Sequence, residues 1–228
     1  MSHNNESNQP NQPRPGQFIT LEGTEGGGKS TNLAFIAQWL TDQGIEVVVT
    51  REPGGTPIGE AIRSILLNPA YDEMTAETEL LLMFAARNQH LQQTILPALT
   101  QGKWVVSDRF TDASYAYQGG ARGMAYQRIA QLEDWVQQGF VPEMTFVFDL
   151  PIEEGMRRVA ARSNLTGQAI DRFEKEKADF FEKVRNAYLH RAQQAPERYQ
   201  ILDAAQPLSD VQSQIHARLT QMLSEVTP

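Results

Sequence analysis

The stretch "GTEGGGKS", residues Gly23 to Ser30, is the strongest structural signal in this chain. It matches the pattern G-x-x-x-x-G-K-[ST], follows the apolar run "QFITLE" and precedes apolar residues at helical spacing, as a P-loop does. Glycines let backbone N–H groups turn toward anionic oxygens, and the helix N-terminus adds the positive end of its dipole. The loop therefore predicts a phosphate site, in which Lys29 reaches the β- and γ-phosphates and Ser30 ligates Mg²⁺.

Beyond the loop, short apolar runs alternate with helical patterns. The runs that predict strands are "QFITLE", "IEVVVTR", "KWVVSDR", "MTFVFDL" and "YQILDA". A first helix should follow the loop and stop at Gly44, and further helices are predicted over about 58–67, 75–101, 124–138, 152–162, 173–194 and 208–223. Near-continuous apolar strands are typical of a parallel sheet covered on both faces. We therefore predict an α/β fold with a doubly wound, five-stranded, mostly parallel sheet flanked by helices.

Composition limits the classes of protein to which the chain can belong. Its 228 residues fit one domain, and we expect residues 1–16, which are rich in Asn, Gln, Ser and Pro, to form a disordered tail before a single domain over 17–228. No apolar run reaches the roughly 18 residues of a membrane span, and the N-terminus lacks the apolar core of a signal peptide, so we expect a cytoplasmic protein with no membrane partner. The net charge of −8 argues against a nucleic-acid partner.

Two functional classes use a P-loop: phosphotransferases that act on small molecules, and nucleotide-dependent switches. A GTPase switch should carry N-K-x-D and D-x-x-G strings, and neither occurs here. Instead "TREPGGTP", "SDRF" and "AYQGGARG" follow strand ends, where ligands bind in open parallel sheets. Arg51 and Arg109 would then face the P-loop and bring two anions together, with Asp108 on the metal side. Asp149 also ends a strand, but no arginine follows it.

The P-loop, "TREPGGT", "DRF" and "AYQGG", in this order, resemble the thymidylate kinase family from residue 17 to the C-terminus. The resemblance implies transfer of the γ-phosphoryl group of ATP to dTMP, Mg²⁺ as cofactor and a homodimer. Two alternatives stay open: another nucleoside monophosphate kinase, and a non-catalytic nucleotide switch. A phosphate monoester is already mostly anionic at pH 7, so the reaction needs no general base.

The resemblance also assigns site residues. The ATP phosphates would lie against Gly23, Thr24, Glu25, Gly26, Gly27, Gly28, Lys29, Ser30 and Thr31. The dTMP site would contain Glu25, Arg51, Pro53, Phe84, Arg87, Arg109, Ser114, Tyr117 and Gln118. The Mg²⁺ ligands would be Ser30 and Asp108, partly through water.

The expected roles within the dTMP site differ. Arg51 and Arg109 would hold the phosphate, and Glu25 would approach the sugar. Tyr117 would lie under the sugar and disfavour a ribose 2′-OH. Ser114 and Gln118 would hydrogen-bond the thymine base, and Arg87 would reach its O4.

The roles of four residues are not decided by the sequence. Many relatives have an aromatic residue four positions earlier, where this chain has Met83 with Phe84 next to it. A helix turns about 100° per residue, so the two side chains face differently, and we favour Phe84 as the one on thymine. Glu52 is either in the substrate site or a solvated loop charge. His90 is expected at the surface or in a dimer contact rather than in catalysis.

The segment "RRVAARSNLTGQAIDRFE" has the helix–loop–helix pattern of a closing lid, over about 158–173. Gly26 occupies the P-loop position where some relatives carry an arginine, so the chain resembles the bacterial type, in which lid arginines supply that charge. Arg158 and Arg162 lie one helical turn apart, and Arg172 lies at the far end of the lid. The expected catalytic residues are Lys29, Arg109, Arg158 and Arg162.

Overall fold

The computed structural model describes residues 16–166 and 171–226, so the predicted tail lies, except for Gly16, outside the described residues. The five strands are β1 Phe18–Gly23, β2 Val47–Arg51, β3 Trp104–Asp108, β4 Met144–Asp149 and β5 Tyr199–Asp203. They form one sheet in the order β2-β3-β1-β4-β5, and every neighbouring pair is parallel. The predicted α/β fold is confirmed.

Helices cover both faces of the sheet. They are α1 Lys29–Asp42, α2 Pro57–Leu67, α3 Ala76–His90, α4 Leu96–Thr100, α5 Thr111–Ser114, α6 Tyr126–Gln137, α7 Ile152–Thr166, α8 Ala178–Gln194 and α9 Leu208–Val226. A π-helical turn, Leu91–Ile95, joins α3 to α4, and a second π-helical segment, Tyr115–Ala121, continues α5. Within the described residues no helix has the length and apolar content that a bilayer span requires.

Two elements differ from the sequence prediction. The stretch around "AYQGG" is helical, although its paired glycines disfavour a helix in isolation. Packing explains the difference, because a Cβ on Gly120 would lie 2.7 Å from the Cβ of Ala187, so glycine lets α8 approach closely. Helix α8 begins at Ala178 rather than near 173, because a turn precedes it in which the Asp171 carboxylate accepts from the N–H groups of Phe173 and Glu174.

Strand register places the functional loops at one edge of the sheet. Leu21 of β1 is opposite Asp108 of β3, and Asp108 is in turn opposite Arg51 of β2. The P-loop leaves β1 just beyond this point, between the neighbours β3 and β4. Residues from three strand ends therefore meet where ligands bind in doubly wound sheets.

Candidate active site

The P-loop wraps around the side chain of its own lysine. Gly26 and Gly28 have φ values of 79° and 84°, which favour glycine. Lys29 is buried, and its Nζ donates to the carbonyl oxygens of Gly23 at 3.0 Å and Thr24 at 2.8 Å. Burial, reinforced by the nearby Arg109 guanidinium, lowers the pKa of Lys29 to about 8. The loop thus holds one cationic group at the N-terminus of α1.

Helix α7 packs directly on this loop. A Cβ on Gly26 would lie 2.6 Å from the carbonyl oxygen of Gly155, so the backbone contact leaves no space for a larger residue. Arg158 donates from Nη1 to the carbonyl oxygens of Gly26 at 3.3 Å and Ala204 at 3.1 Å, and from Nε to Glu154 at 2.7 Å. Arg158 of α7 therefore contacts the P-loop at Gly26, the loop position where some relatives carry an arginine and this chain does not.

Beside the P-loop, a cavity of about 90 Å³ contains most of the predicted dTMP site. Its predicted members are Glu25, Pro53, Arg87, Arg109, Ser114, Tyr117 and Gln118. Two predicted residues, Arg51 and Phe84, are not part of its lining. The cavity also contains Arg63, which the sequence analysis missed.

The structure corrects the expectation that Phe84 faces the substrate. Phe84 is 2% exposed and packs with Leu80, Tyr115 and Ile129, while Met83 lines the cavity. The guanidinium carbon of Arg87 lies 4.6 Å from the centroid of the Phe84 ring. Phe84 therefore supports Arg87 from the side that faces the core.

Arg51 lies outside this cavity. Its side chain is 53% exposed and donates to Glu60 at 2.9 Å, in a shallow depression that also contains Ser30 and Asp108. Arg63 of α2 lies on the cavity side and donates from Nη1 to the carbonyl oxygen of Pro53 at 2.9 Å. The only signal for Arg63 in the sequence was its place in the helix that follows "REPGGT".

Arg87 is held by fixed partners within the core. Its guanidinium donates to Glu52 at 2.7 Å, to the Ser114 hydroxyl at 3.1 Å and to the carbonyl oxygen of Phe110 at 3.1 Å. His90 is fully buried, 3.0 Å from Glu52 through Nδ1. The expectation that His90 is a surface or dimer residue is therefore wrong. Glu52 is buried and lines the cavity, so it is not a solvated loop charge.

Arg109 joins the P-loop to the cavity. It has a φ of 71°, an unfavourable conformation for a non-glycine residue, which its backbone hydrogen bonds to Leu21 and Ser107 support. Its guanidinium donates to Glu25 at 2.6 Å, to the Tyr117 hydroxyl at 3.0 Å and to the Tyr188 hydroxyl at 2.9 Å.

The contact with Arg109 affects the pKa of the Glu25 carboxyl group. Burial acts to raise its pKa, but the Arg109 and Lys29 charges outweigh it and leave the pKa below its usual value.

The buried carboxyl group of Glu22 holds two residues next to Arg109. Glu22 of β1 accepts from the Tyr188 hydroxyl at 2.7 Å and from the N–H of Phe110 at 2.7 Å. Burial, together with the nearby Asp112 carboxylate, raises the pKa of Glu22 to about 8. No pattern in the sequence indicates a role for Glu22 beyond its place in the strand "QFITLE".

The residues present fit a magnesium ion. Ser30 and Asp108 line one depression, and Asp108 Oδ1 is buried with no hydrogen-bond partner in the described part of the chain. Across residues 16–166 and 171–226 no group of three or more His, Cys, Asp or Glu side chains has a metal-binding arrangement. Mg²⁺ often takes only one or two carboxylates and completes its shell with water and substrate phosphate. Asp149 is instead occupied by Arg185, at 2.5 and 3.0 Å.

The lid arginines differ in their surroundings. Arg162 is 50% exposed and donates to Glu174 at 2.8 Å. Arg172 is buried and donates to Glu79 at 2.5 Å and to the carbonyl oxygen of Leu66 at 2.8 Å, so it anchors the end of the predicted lid in the core. Residues 167–170 of that lid lie outside the described residues.

Comparison with known proteins gives a consistent result. A family model described as thymidylate kinase matches residues 21–215. The chain is 58% identical over 208 residues to a thymidylate kinase of Ectopseudomonas mendocina, covering 91% of this chain and 97% of that protein. It is 59% identical over 204 residues to a thymidylate kinase of Pseudomonas putida strain GB-1, covering 90% and 95% of the two chains.

A solved structure shows the same similarity in three dimensions. The crystal structure of thymidylate kinase from Ehrlichia chaffeensis superposes with a TM-score of 0.72 at 31% sequence identity. The match covers 90% of this chain and 99% of that one.

Proposed function

The chain belongs to the thymidylate kinase family, and we propose that its P-loop binds ATP while the adjoining cavity binds dTMP. It is an ATP-dependent kinase that phosphorylates dTMP to dTDP. The observation that carries the assignment of the two sites is the Glu25–Arg109 contact of 2.6 Å, because Glu25 belongs to the P-loop and both side chains line the cavity. Donor and acceptor phosphates would therefore meet at this pair.

On the acceptor side, the fixed guanidinium groups supply both charge and direction. Arg109 and Arg63 lie where an acceptor phosphate would enter beside the P-loop, and Arg51 borders the same edge from the depression that contains Ser30. Arg87 and Ser114 lie deeper and would hydrogen-bond the thymine, against which Met83 would pack. Tyr117 would occupy the space beside the sugar, since its hydroxyl is held 3.0 Å from Glu25.

On the donor side, we assign the triphosphate to the loop residues Gly23 to Thr31. Lys29 would exchange its two backbone acceptors for phosphate oxygens, and Ser30 and Asp108 would hold Mg²⁺. The metal, when bound, would neutralise charge on the phosphates. Arg158 and Arg162 would add charge to the transferring group when α7 and its lid close over the loop.

A transfer assay tests the assignment directly. With ATP as donor and excess Mg²⁺, dTMP should be phosphorylated with a much higher kcat/KM than dCMP, dGMP or AMP. Lys29→Ala should lower kcat/KM by on the order of a thousandfold, because it removes a fixed charge from the phosphates. Lys103→Ala is the control, since Lys103 pairs with Glu46 at the surface. Tight nucleotide binding without acceptor-dependent turnover would instead support the switch alternative.

The proposal extends to the oligomeric state of the protein and to its location in the cell. We propose a homodimer, because apolar side chains are exposed on α2, α3 and α6, among them Ile65, Leu81 and Trp135. Sedimentation of wild type against Leu81→Glu would test it, with dissociation expected for the variant. We also propose that residues 17–228 act as one P-loop kinase domain with a lid near 158–173, in the cytoplasm.

A further inference from the structure

A buried carboxylate outside the proposed dTMP site controls one of the residues in it. Glu79 of α3 is fully buried, and its Oε1 accepts a hydrogen bond of 2.7 Å from Nε2 of Gln118. Its other oxygen accepts from Arg172 at 2.5 Å and Arg122 at 3.4 Å. Ion pairing with two guanidinium groups implies the carboxylate form, which accepts hydrogen bonds and has none to donate.

This contact fixes the direction of the Gln118 amide. The NH₂ group must face Glu79, because a carboxylate has no proton for the amide oxygen. The amide oxygen is then on the side of Gln118 that faces away from Glu79, and Gln118 itself lines the cavity. Gln118 Oε1 is buried and has no hydrogen-bond partner among residues 16–166 and 171–226. A buried acceptor without a partner is unfavourable, so this atom is prepared for a donor from the ligand.

We propose that Glu79 is a positioning residue for base selection: it holds Gln118 with its carbonyl oxygen toward the nucleobase, so that the site accepts thymine and rejects cytosine. This inference rests on the proposed binding of dTMP in the cavity. Thymine presents an N3–H donor, whereas N3 of cytosine is an acceptor. The Gln118 oxygen pairs with the first and meets the lone pair of the second. A rotated amide would reverse this preference, and Glu79 prevents the rotation.

Arg172 connects the same carboxylate to the lid. Arg172 lies at the far end of the predicted lid and also donates to the carbonyl oxygen of Leu66. Its contact with Glu79 places a cation on Oε2 and leaves Oε1 to Gln118. Glu79 therefore holds both Arg172, at the end of the lid, and the Gln118 amide that would contact the nucleobase.

The test compares dTMP with 5-methyl-dCMP, which keeps the methyl group and differs from dTMP only at N3 and C4 of the ring. The quantity measured is the ratio of their kcat/KM values with ATP. Glu79→Gln should lower this ratio about tenfold or more, because a second amide can pair with either orientation of Gln118. Glu79→Asp, which still only accepts, should keep the ratio within about threefold of wild type.

A double-mutant cycle separates positioning from a general loss of structure. Gln118→Met should lower the ratio by itself, and Glu79→Gln should then change it no further, because Glu79 acts through Gln118. A purely structural role would lower both activities together and leave the ratio unchanged. An unchanged ratio in Glu79→Gln, or an equal effect of Glu79→Asp, would overturn the inference. If the wild type itself shows no preference for dTMP, the proposed function fails as well.

Wild-type protein provides a measurement that does not depend on the stability of a variant. The side-chain NH₂ protons of Gln118, assigned by their loss in Gln118→Met, should be protected from solvent exchange in the free protein and stay protected with dTMP bound. Loss of protection on dTMP binding would mean that the amide rotates away from Glu79, and the inference would be wrong.

Discussion

The cations of the dTMP cavity and those of the lid helix have the same chemistry and opposite surroundings. Arg87 and Arg109 each donate to three partners fixed by the fold, and both side chains are largely shielded from solvent. Arg158 and Arg162 lie on α7 with partly exposed side chains, bound to Glu154 and Glu174. The first pair is already positioned, and the second can change partners.

Energetics follow from this difference. Exposed ion pairs contribute only about 0–1 kcal/mol, so exchanging Glu174 for a phosphoryl group costs Arg162 little. Removing one member of a buried pair costs roughly 3–5 kcal/mol, because the other charge is left without its partner. We therefore expect the cavity arginines to govern binding and stability, and the lid arginines to govern turnover.

Among variants of these arginines, the largest expected effect concerns the lid. Arg162→Ala should lower kcat by on the order of a hundredfold or more, because its charge would act on the transferring phosphoryl group only after closure. The KM values for ATP and dTMP should change little. Steady-state kinetics with both substrates varied would measure this separation of kcat from KM.

Two variants test whether Arg162, and not another lid arginine, supplies the charge that acts in turnover. Glu174→Gln removes the ion pair between Arg162 and Glu174 and should leave kcat at or above the wild-type value. Arg158→Ala is the matched comparison, because Arg158 already contacts the P-loop backbone. A raised KM for ATP with unchanged kcat in Arg162→Ala would make Arg162 a binding residue and move the catalytic charge to Arg158.

The next effect concerns the cavity. Arg109→Ala should weaken dTMP about 10- to 150-fold, the equivalent of roughly 1.5–3 kcal/mol for one charge-assisted hydrogen bond, while ATP binding changes much less. It should also lower Tm, because Glu25 and the Tyr117 hydroxyl lose their cation. Calorimetric titration with each nucleotide would measure both affinities.

Arg51→Ala is the matched variant, because Arg51 is exposed and pairs with Glu60 outside the cavity. We expect a smaller loss of dTMP affinity and an unchanged Tm. Selective loss of ATP in Arg109→Ala would show that donor and acceptor phosphates are assigned the wrong way round.

Local patterns allowed the fold and much of the site to be predicted from sequence. A glycine loop, apolar runs and arginines after strand ends depend on neighbours in the chain, so they predicted the sheet and the phosphate loop. The resemblance to the thymidylate kinase family, rather than these patterns, supplied most of the seven predicted residues that line the cavity. The choice between Met83 and Phe84 depends on how α3 is rotated against Ile129 and Tyr115, contacts that lie far apart in sequence.

Other residues were not identified from the sequence for the same reason, that their partners lie far away along the chain. His90 and Glu52 are 38 positions apart, and their burial depends on partners distant in sequence, each other and, for Glu52, Arg87. Gln118 and Glu79 are 39 apart, and Arg172 reaches Glu79 from 93 positions away. A charged residue in a helical pattern predicts a solvated face unless its partner is known, and no local signal identifies such partners.

The smallest expected effect concerns Lys29, a fixed cation on the donor side. Phosphate binds its protonated form, and the pKa of Lys29 in the free protein is lowered to about 8. The protonated fraction falls from about one half at pH 8 to about one tenth at pH 9, so ATP affinity should fall about fivefold over that interval. Binding above pH 8 should then take up a proton, which titration calorimetry in two buffers of different ionisation enthalpy would detect. Lys29→Arg stays protonated throughout this range and should bind ATP with no such dependence. Equal affinities at pH 8 and 9 without proton uptake in the wild type would mean that Lys29 is as fully charged as the exposed arginines of the lid, and that burial in the loop does not weaken its charge.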